Sequence, residues 1–503
     1  MDIVSSRKTR CYAAVERAWF ATGITMIALA ACVPLATPLA SLFRTVSRSY
    51  NEGWNAFWAD AAARSGSLYV SADSLVSNNY PPLSFHLVGL IGRFTGDNVI
   101  AGRLVSLASF VVMIFAAYLL LRAAGVARQT ALAGAAILLA TFAYYGDNYV
   151  AMNDPQMLAH ALMLTAVVVL WRFDFSTTAI VAGAALMLLG GFTKHLLIPL
   201  PVAVTLWLAI YRRKSLPLWL ACFAVGVPLG FWLTSSSYPL FVDDLLSARM
   251  YLLDQGVSAT THTLFRFLPL LILGAVPIVR AMRAGGASAL TPRTTFALLY
   301  VVLSLVIGAI AAGGAGVTRN AFFDLLIASS LFAALGLAWL QENRRAPRIV
   351  PLSAASASIM VLGAGILVYA AMLVPQTVRE VRHLDSLEAD TRATIAMIQR
   401  LGQGHAACET IALCYWARGP FTIDFFNYGQ KMLTGAMSVE ACKASFERGD
   451  FPVLQLELDR KIVGSRLWPC TPAIRQYYTE AFRSQAGMLL VPRHALTHVL
   501  ARS

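Results

Sequence analysis

The sequence predicts a polytopic α-helical membrane protein of about eleven spans, followed by a small α/β domain on the outer side. Three observations lead there. Of 503 residues, 58% are hydrophobic and only 13% charged, a balance that does not fit a soluble globular chain. Apolar runs of about 18 to 24 residues recur, long enough for an α-helix to cross the hydrocarbon core at about 1.5 Å per residue. Lys and Arg cluster in alternate connections between these runs, as the positive-inside rule requires.

The expected spans are residues 19–43, 99–121, 129–146, 154–171, 178–192, 195–211, 217–235, 264–282, 294–313, 320–340 and 350–374. Arg7, Lys8 and Arg10 place the N-terminus inside. Arg122 with Arg128, Arg172, the run Arg212, Arg213 and Lys214, then Arg280, Arg283 and Arg293, and finally Arg344, Arg345 and Arg348 mark the later inner loops. Eleven crossings then leave the C-terminus outside. These loops account for much of the net charge of +14, so the basic balance reflects topology and anionic lipid and predicts no nucleic-acid partner. The first apolar run is long and lacks a small-residue cleavage site, which fits a retained signal anchor.

The connection 44–98 is the longest polar stretch in the membrane part, and two segments in it suit interfacial helices. Residues 82–94, PLSFHLVGLIGRF, are too short to cross alone. Residues 54–64 would turn Trp54, Phe57 and Trp58 to lipid and Asp60 and Arg64 to water. Residues 1–374 thus form a transmembrane domain and 375–503 a separate outer domain. In the latter, Ser438 reads as an N-cap with Gly449 as the helix stop, and Thr471-Pro472 as a second helix start. ETIALCY, FTIDFF, FPVLQLEL and GMLLV read as strands. Four of the seven cysteines, Cys408, Cys414, Cys442 and Cys470, lie here; they are either buried thiols or up to two disulfides in one of three connectivities. No C-x-x-C pair or suitably spaced His accompanies them to suggest zinc.

Ionisable groups near a bilayer are costly and call for a partner or a task. By this topology Glu52, Asp60, His86, Arg103, Asp147, Asp154, Lys194, His195, Arg249, Arg319, Asn320 and Asp324 all fall near the outer face. Each has a plain reading. Glu52 is a solvated loop acid or a helix-start acid; Asp154, between Asn153 and Pro155, caps the following helix. Lys194 and His195 sit at an outer turn, where a lysine snorkels. Arg103 pairs with Asp97 or Glu52, and Arg249 with Asp243, Asp244 or Asp254. Tyr80 and His86 belong to an aromatic belt, and Asn320 caps a span.

The motifs NEGWNAF, YPPLSFHL, AGRLVSLASF, NYVAMNDPQMLAH, GGFTKHLLIPLP and GVTRNAFFDLLIASSLFAALGL, in this order and with an outer C-terminal domain, give the chain a second reading. It resembles the GT-C glycosyltransferases, the multi-span class typified by lipid A aminoarabinose transferase and the protein O-mannosyltransferases. The resemblance implies an inverting glycosyltransferase in a bacterial inner membrane that moves a sugar from a polyprenyl phosphate to a lipid, glycan or protein acceptor. Glu52 matches the first-loop carboxylate of that class and would be the catalytic base. Many relatives carry Asp or an acidic pair where this chain has Asn51-Glu52. Asp154 would be a second active-site carboxylate, Lys194, Arg103, His195 and Arg249 would hold the donor phosphate, and Tyr80, His86 and Asn320 would line the cavity. These assignments suit the chemistry, since an attacking hydroxyl needs a base and a departing phosphate needs cations.

No Walker A motif, G-x-G-x-x-G or H-E-x-x-H is present, which disfavours nucleotide use and zinc hydrolysis. No cofactor is specified, and a divalent metal stays open. The competing classes are a secondary transporter or lipid flippase, for which no internal repeat is visible, and a noncatalytic lipid-binding relative.

Overall fold

The computed structural model describes residues 2–247, 249–286, 290–343, 353–402, 405–457 and 468–495. Arg344, Arg345 and Arg348, assigned above to the last inner loop, lie outside them. The helices of the membrane part are α1 (Asp2–Ala40), α2 (Tyr50–Ala63), α3 (Leu83–Thr95), α4 (Asn98–Ala123), α5 (Arg128–Tyr145), α6 (Gln156–Arg172) and α7 (Thr177–Gly191). They continue as α8 (Pro199–Tyr211), α9 (Leu216–Ser237), the short α10 (Phe241–Leu245), α11 (Leu253–Gly285), α12 (Pro292–Ala312), α13 (Phe323–Glu342) and α14 (Ala354–Gly402). Apart from α2, α3 and α10, each coincides with one expected span. Among the described residues seven helices are long and apolar enough to cross a membrane by length and composition, including α1, α4 and α14.

Burial ranks these helices by role. Every residue of α13 from Phe323 to Ala338 is buried, so this helix is the axis of the bundle, with α5, α11 and α12 packed around it. A helix apolar on all sides has no solvent face to offer, and the interior is where it fits. By contrast α9 buries only Trp219 and Thr234 and leaves an apolar surface, as a helix facing lipid would. The 49-residue α14 packs along α1 and runs without a break through Pro375 into the C-terminal part.

Beyond α14 lie β1 (Ala407–Cys408), α15 (Ile411–Trp416), α16 (Phe425–Leu433), α17 (Val439–Arg448), β2 (Leu454–Leu456), α18 (Thr471–Tyr477), β3 (Tyr478–Ser484) and β4 (Gly487–Pro492). The sheet order is β1-β2-β4-β3, with β1 parallel to β2 and the remaining pairs antiparallel. The local signals for α17 and α18 are realised: Ser438 accepts from the Ala441 N–H, Gly449 ends the helix at φ 74°, and Pro472 sits in the first turn of α18. The cysteines form the pairs Cys408–Cys414 and Cys442–Cys470.

Two expected strands are not strands. ETIALCY folds mainly as α15, and FTIDFF is irregular until α16 begins at Phe425. A short apolar run carries no periodicity that separates helix from strand. Here Ile411, Ala412, Leu413 and Cys414 are all buried, and α15 is wedged between α2 and the end of α14. The second correction concerns α2. Trp54 and Trp58, expected to face lipid, are 3% and 5% exposed and pack with Tyr69, Phe85, Phe241 and Ile411 inside the protein.

The close seat of α15 on α2 explains Gly53. A Cβ there would stand 2.1 Å from the Ala412 nitrogen and 2.4 Å from the Ile411 carbonyl carbon, and backbone cannot yield as a side chain can. Gly53→Ala is therefore expected to destabilise the protein by about 1–3 kcal/mol, as overpacking typically does, and to lower the thermal midpoint of the purified protein in detergent. Gly365→Ala, at a site with open space, should leave that midpoint unchanged or raise it.

Candidate active site

The residues singled out around the 44–98 loop come together, but in two separate layers. The deeper layer is an ion pair. Glu52 and Arg103 are both fully buried, and the guanidinium meets the carboxylate in a fork, Nε to Oε1 and Nη2 to Oε2 both at 2.7 Å. The Arg48 backbone N–H adds a bond to Oε2 at 2.9 Å. Arg103 places its remaining donors on the carbonyls of Ser41, Leu42, Arg44 and Val46. Burial alone would raise the Glu52 pKa; the charge and hydrogen bonds of Arg103, with Arg48 beside them, outweigh it and hold the carboxyl below its ordinary value.

This geometry corrects two expectations. Glu52 does not reach the cavity, and a carboxylate with both oxygens held by a buried arginine is a poor proton acceptor. Arg103 has no donor left for a phosphate. Their common task is to fix the end of α1 and its following turn against α2 and α4.

The second layer faces a cavity of about 540 Å³. Its wall includes Asn51, one residue before Glu52 on α2, and Asn51 Nδ2 donates to Asp154 Oδ2 at 3.1 Å. The other oxygen of Asp154 receives the Gln156 N–H at 2.9 Å and stands 3.4 Å from Lys194 Nζ. Asp154 is therefore a helix-start acceptor and a charge partner at once, and like Glu52 it lies behind the cavity wall. Lys194 is 2% exposed and sits 4.0 Å from the Tyr80 ring centroid, with Tyr80 between it and the open space. Burial lowers the Lys194 pKa, Asp154 and Tyr80 raise it more, and the ammonium stays charged.

Cations dominate the cavity wall. Arg48, Arg249 and Arg319 all line it. Arg48 is fixed by the carbonyls of Asp147, Val150 and Ala151. Arg249 donates to Asn427 Oδ1 at 2.8 Å and lies over the Phe426 ring, not against Asp243, Asp244 or Asp254. Asn320 lines the wall as expected, accepting from Thr318 and donating to Gln156. His86 and His195 do not line it. His86 bonds the Tyr238 hydroxyl at 3.1 Å, and His195 is half-buried, its covered Nδ1 unpartnered among the described residues.

Several lining residues escaped the sequence reading: Arg48, Asn51, Tyr149 and, from the C-terminal domain, Phe426 and Asn427. The domain reaches the cavity because Asp424 is held there. It accepts from the Tyr50 hydroxyl and from Trp54 Nε1 at 3.1 Å, while Lys431 Nζ donates to the carbonyls of Ala72 and Ser74. Burial raises the Asp424 pKa and the bonds from Asn427 and Tyr50 oppose it. Nothing in the sequence pointed to Asn427. Among the described residues no group of three or more His, Cys, Asp or Glu could hold a metal ion.

No family model matches the chain, and no curated protein does. Solved structures do. The bundle, the loop helices and the C-terminal domain together have the GT-C glycosyltransferase fold. ArnT from Cupriavidus metallidurans in its apo state superposes with a TM-score of 0.59 at 14% identity, over 94% of this chain and 98% of that one. The same protein bound to undecaprenyl phosphate gives 0.57 at 15%, over 93% and 97%. An oligosaccharyltransferase from Archaeoglobus fulgidus, tethered to an acceptor peptide, gives 0.52 at 11%, over 93% and 73%.

Breaking the buried pair on one side leaves an uncompensated charge. Glu52→Leu or Arg103→Met should each cost about 3–5 kcal/mol and abolish a monodisperse preparation, while the double substitution should cost less than either, by size-exclusion chromatography and thermal melting. Because the folded pKa of Glu52 is depressed, its contribution is complete above the ordinary carboxylate range and is lost as pH falls through the folded value. An acid melt should show that loss in wild type, with no corresponding step in the double variant.

Proposed function

We propose that this protein is a membrane glycosyltransferase that takes its sugar from a polyprenyl-phosphate donor and acts on the face of the membrane carrying the C-terminal domain, residues 375–503. The observation that carries the reading is a roomy cavity in a GT-C fold whose charged wall is three arginines, with the buried Asp154–Lys194 pair directly behind Asn51 and Tyr80 of that wall. Arginine donors suit a phosphate leaving group, which gains charge as the anomeric bond breaks. ArnT, one of the similar structures, has been solved with undecaprenyl phosphate bound, which supports a lipid-linked donor.

The roles then differ from those drawn from sequence. Arg249 and Arg319, with Arg48 behind, stabilise the departing phosphate. Asp154 stands one hydrogen bond behind the wall at Asn51; with the Asn51 amide turned aside, its Oδ2 accepts the proton of the acceptor hydroxyl as that oxygen attacks the anomeric carbon and the bond to phosphate breaks, with inversion. Lys194 holds Asp154 in place, and Asn51 orients its other oxygen. Glu52 acts only through the shape it gives this wall.

Asn51 also favours a second reading. An amide stands at the cavity position next to Glu52, no carboxylate lines the cavity among the described residues, and Asp154 behind Asn51 is already paired. A protein that binds polyprenyl phosphate without transferring a sugar would tolerate this arrangement.

Membranes containing the wild type and supplied with radiolabelled polyprenyl-phosphate sugar distinguish the two. Transfer is expected in wild type and should fall by about 10²- to 10⁴-fold in Asp154→Asn, the range for loss of a general base. Arg249→Ala and Arg319→Ala should each weaken polyprenyl-phosphate binding about tenfold, the effect of losing one charge-assisted hydrogen bond. Binding without transfer in wild type would establish the noncatalytic reading, and transfer at wild-type rate by Asp154→Asn would remove Asp154 from the base role.

A further inference from the structure

On the opposite end of α2 from the cavity lies a second and larger space, an open cleft of about 1120 Å³ between the membrane part and the C-terminal domain. The N-terminal half of α2 gives Asn51 and Trp54 to the cavity, and its C-terminal half gives Phe57, Trp58, Asp60 and Arg64 to the cleft. At about 1.5 Å per residue, Asn51 and Asp60 are about 13 Å apart along one rigid helix. The facing wall is Tyr415, Trp416, Arg418 and Phe421 from α15 and the loop after it.

The chemistry of the cleft is aromatic with a sparse polar edge. Phe57 stacks on Phe421 with centroids 4.9 Å apart and meets Tyr415 edge-on, and Trp58 meets Phe421 edge-on. Most charges are already spent. Asp60 pairs with Arg64 at 3.1 Å, and Asp97 uses one oxygen to cap α4 and the other to accept from Trp416 Nε1 at 2.9 Å. Arg418 is exposed and held at a φ of 59°, which a non-glycine residue adopts only when its surroundings hold it there. One donor is spare. The indole N–H of Trp58, a residue 5% exposed, has no hydrogen-bond partner among the described residues. A buried donor is normally paired; this N–H is covered in the structure, and an acceptor atom from the cleft reaches it by displacing what covers it.

Flat rings set among a few fixed donors and acceptors match the alternating C–H faces and hydroxyl edges of a sugar. A polyanion would need a cluster of free cations, and Arg418 with the exposed His405 does not supply one. An acyl chain would have no use for the edge formed by Asp60, Arg64, His405 and Arg418. We propose that this cleft binds a saccharide, neutral or carrying one acidic group opposite Arg418, with a hydroxyl or ring oxygen accepting from Trp58 Nε1. That the saccharide is part of the acceptor, threaded toward Asp154 along α2, rests on the glycosyltransferase reading; the binding itself does not.

The test uses the full-length protein in detergent on a printed array of bacterial glycans, followed by titration of the best binders against intrinsic tryptophan fluorescence. Saturable binding is expected, weakened tenfold or more in Phe421→Ala and severalfold in Trp58→Phe, which keeps an aromatic ring of smaller area and removes the N–H. Arg418→Gln should weaken only acidic saccharides. Lys194→Ala should bind saccharides as wild type does while losing sugar transfer. Saccharide binding without transfer by wild type would defeat the glycosyltransferase reading and leave the cleft standing. No saturable binding on the array would overturn the cleft proposal, and transfer with an acceptor KM unchanged in Phe421→Ala and Trp58→Phe would overturn the assignment of the saccharide to the acceptor. Quenching of the tryptophans by bromo-acyl phospholipid that saccharide does not relieve would assign the cleft to lipid and equally overturn it.

Discussion

The buried fork between Arg103 and Glu52 is the constraint on which the rest of the site depends. Arg103 comes from the first turns of α4, Glu52 from α2, and the carbonyls that take the remaining guanidinium donors from the turn after α1. Three separate pieces of chain are thereby locked to one planar group. A lysine could not do this, because an ammonium lacks the fork geometry and the number of donors. The desolvation cost of burying two charges is offset only because every donor and both oxygens are used.

With that pair in place, α2 is fixed in rotation, and its successive residues serve different neighbours. Glu52 points into the protein, Gly53 lets α15 approach, Asn51 and Trp54 face the cavity, and Trp58 and Asp60 face the cleft. One helix of fourteen residues thus divides two spaces and connects them rigidly. The C-terminal domain is bound to the same helix through Asp424, which accepts from Tyr50 and Trp54. It is a wall of the cavity as much as a cover over it, since Phe426 and Asn427 come from α16 next to that anchor. The resulting pocket needs little rearrangement to present its arginines, the preorganisation on which electrostatic catalysis depends.

Much of this was legible in the sequence. Hydrophobic length and the placement of Lys and Arg are readable along the chain, so a helix is found at each of the eleven expected spans, seven of them long and apolar enough to cross a membrane among the described residues. Local backbone chemistry was equally readable: Ser438, Gly449 and Pro472 act within a turn of their own positions. Part of the polar set read as one neighbourhood does meet in space: Glu52 with Arg103, and Asp154 with Lys194 behind Asn51 and Tyr80. What was not readable was the partition of that neighbourhood. Glu52 and Asn51 are adjacent in sequence, yet a helix turns successive side chains by about 100°, so one faces the interior and the other the cavity.

Sequence by itself therefore determined the class of architecture, the spans and the region of the site, since hydrophobic length, charge bias and capping are local or one-dimensional quantities. Tertiary structure alone decided which carboxylate is spent on Arg103 and which meets Lys194, that α15 is a helix and not a strand, and that Arg249 and Asn427 share one wall. Those outcomes depend on pairings between residues tens to hundreds of positions apart. A buried charge or a short apolar run takes its state from whatever packs against it, and no local pattern encodes that partner.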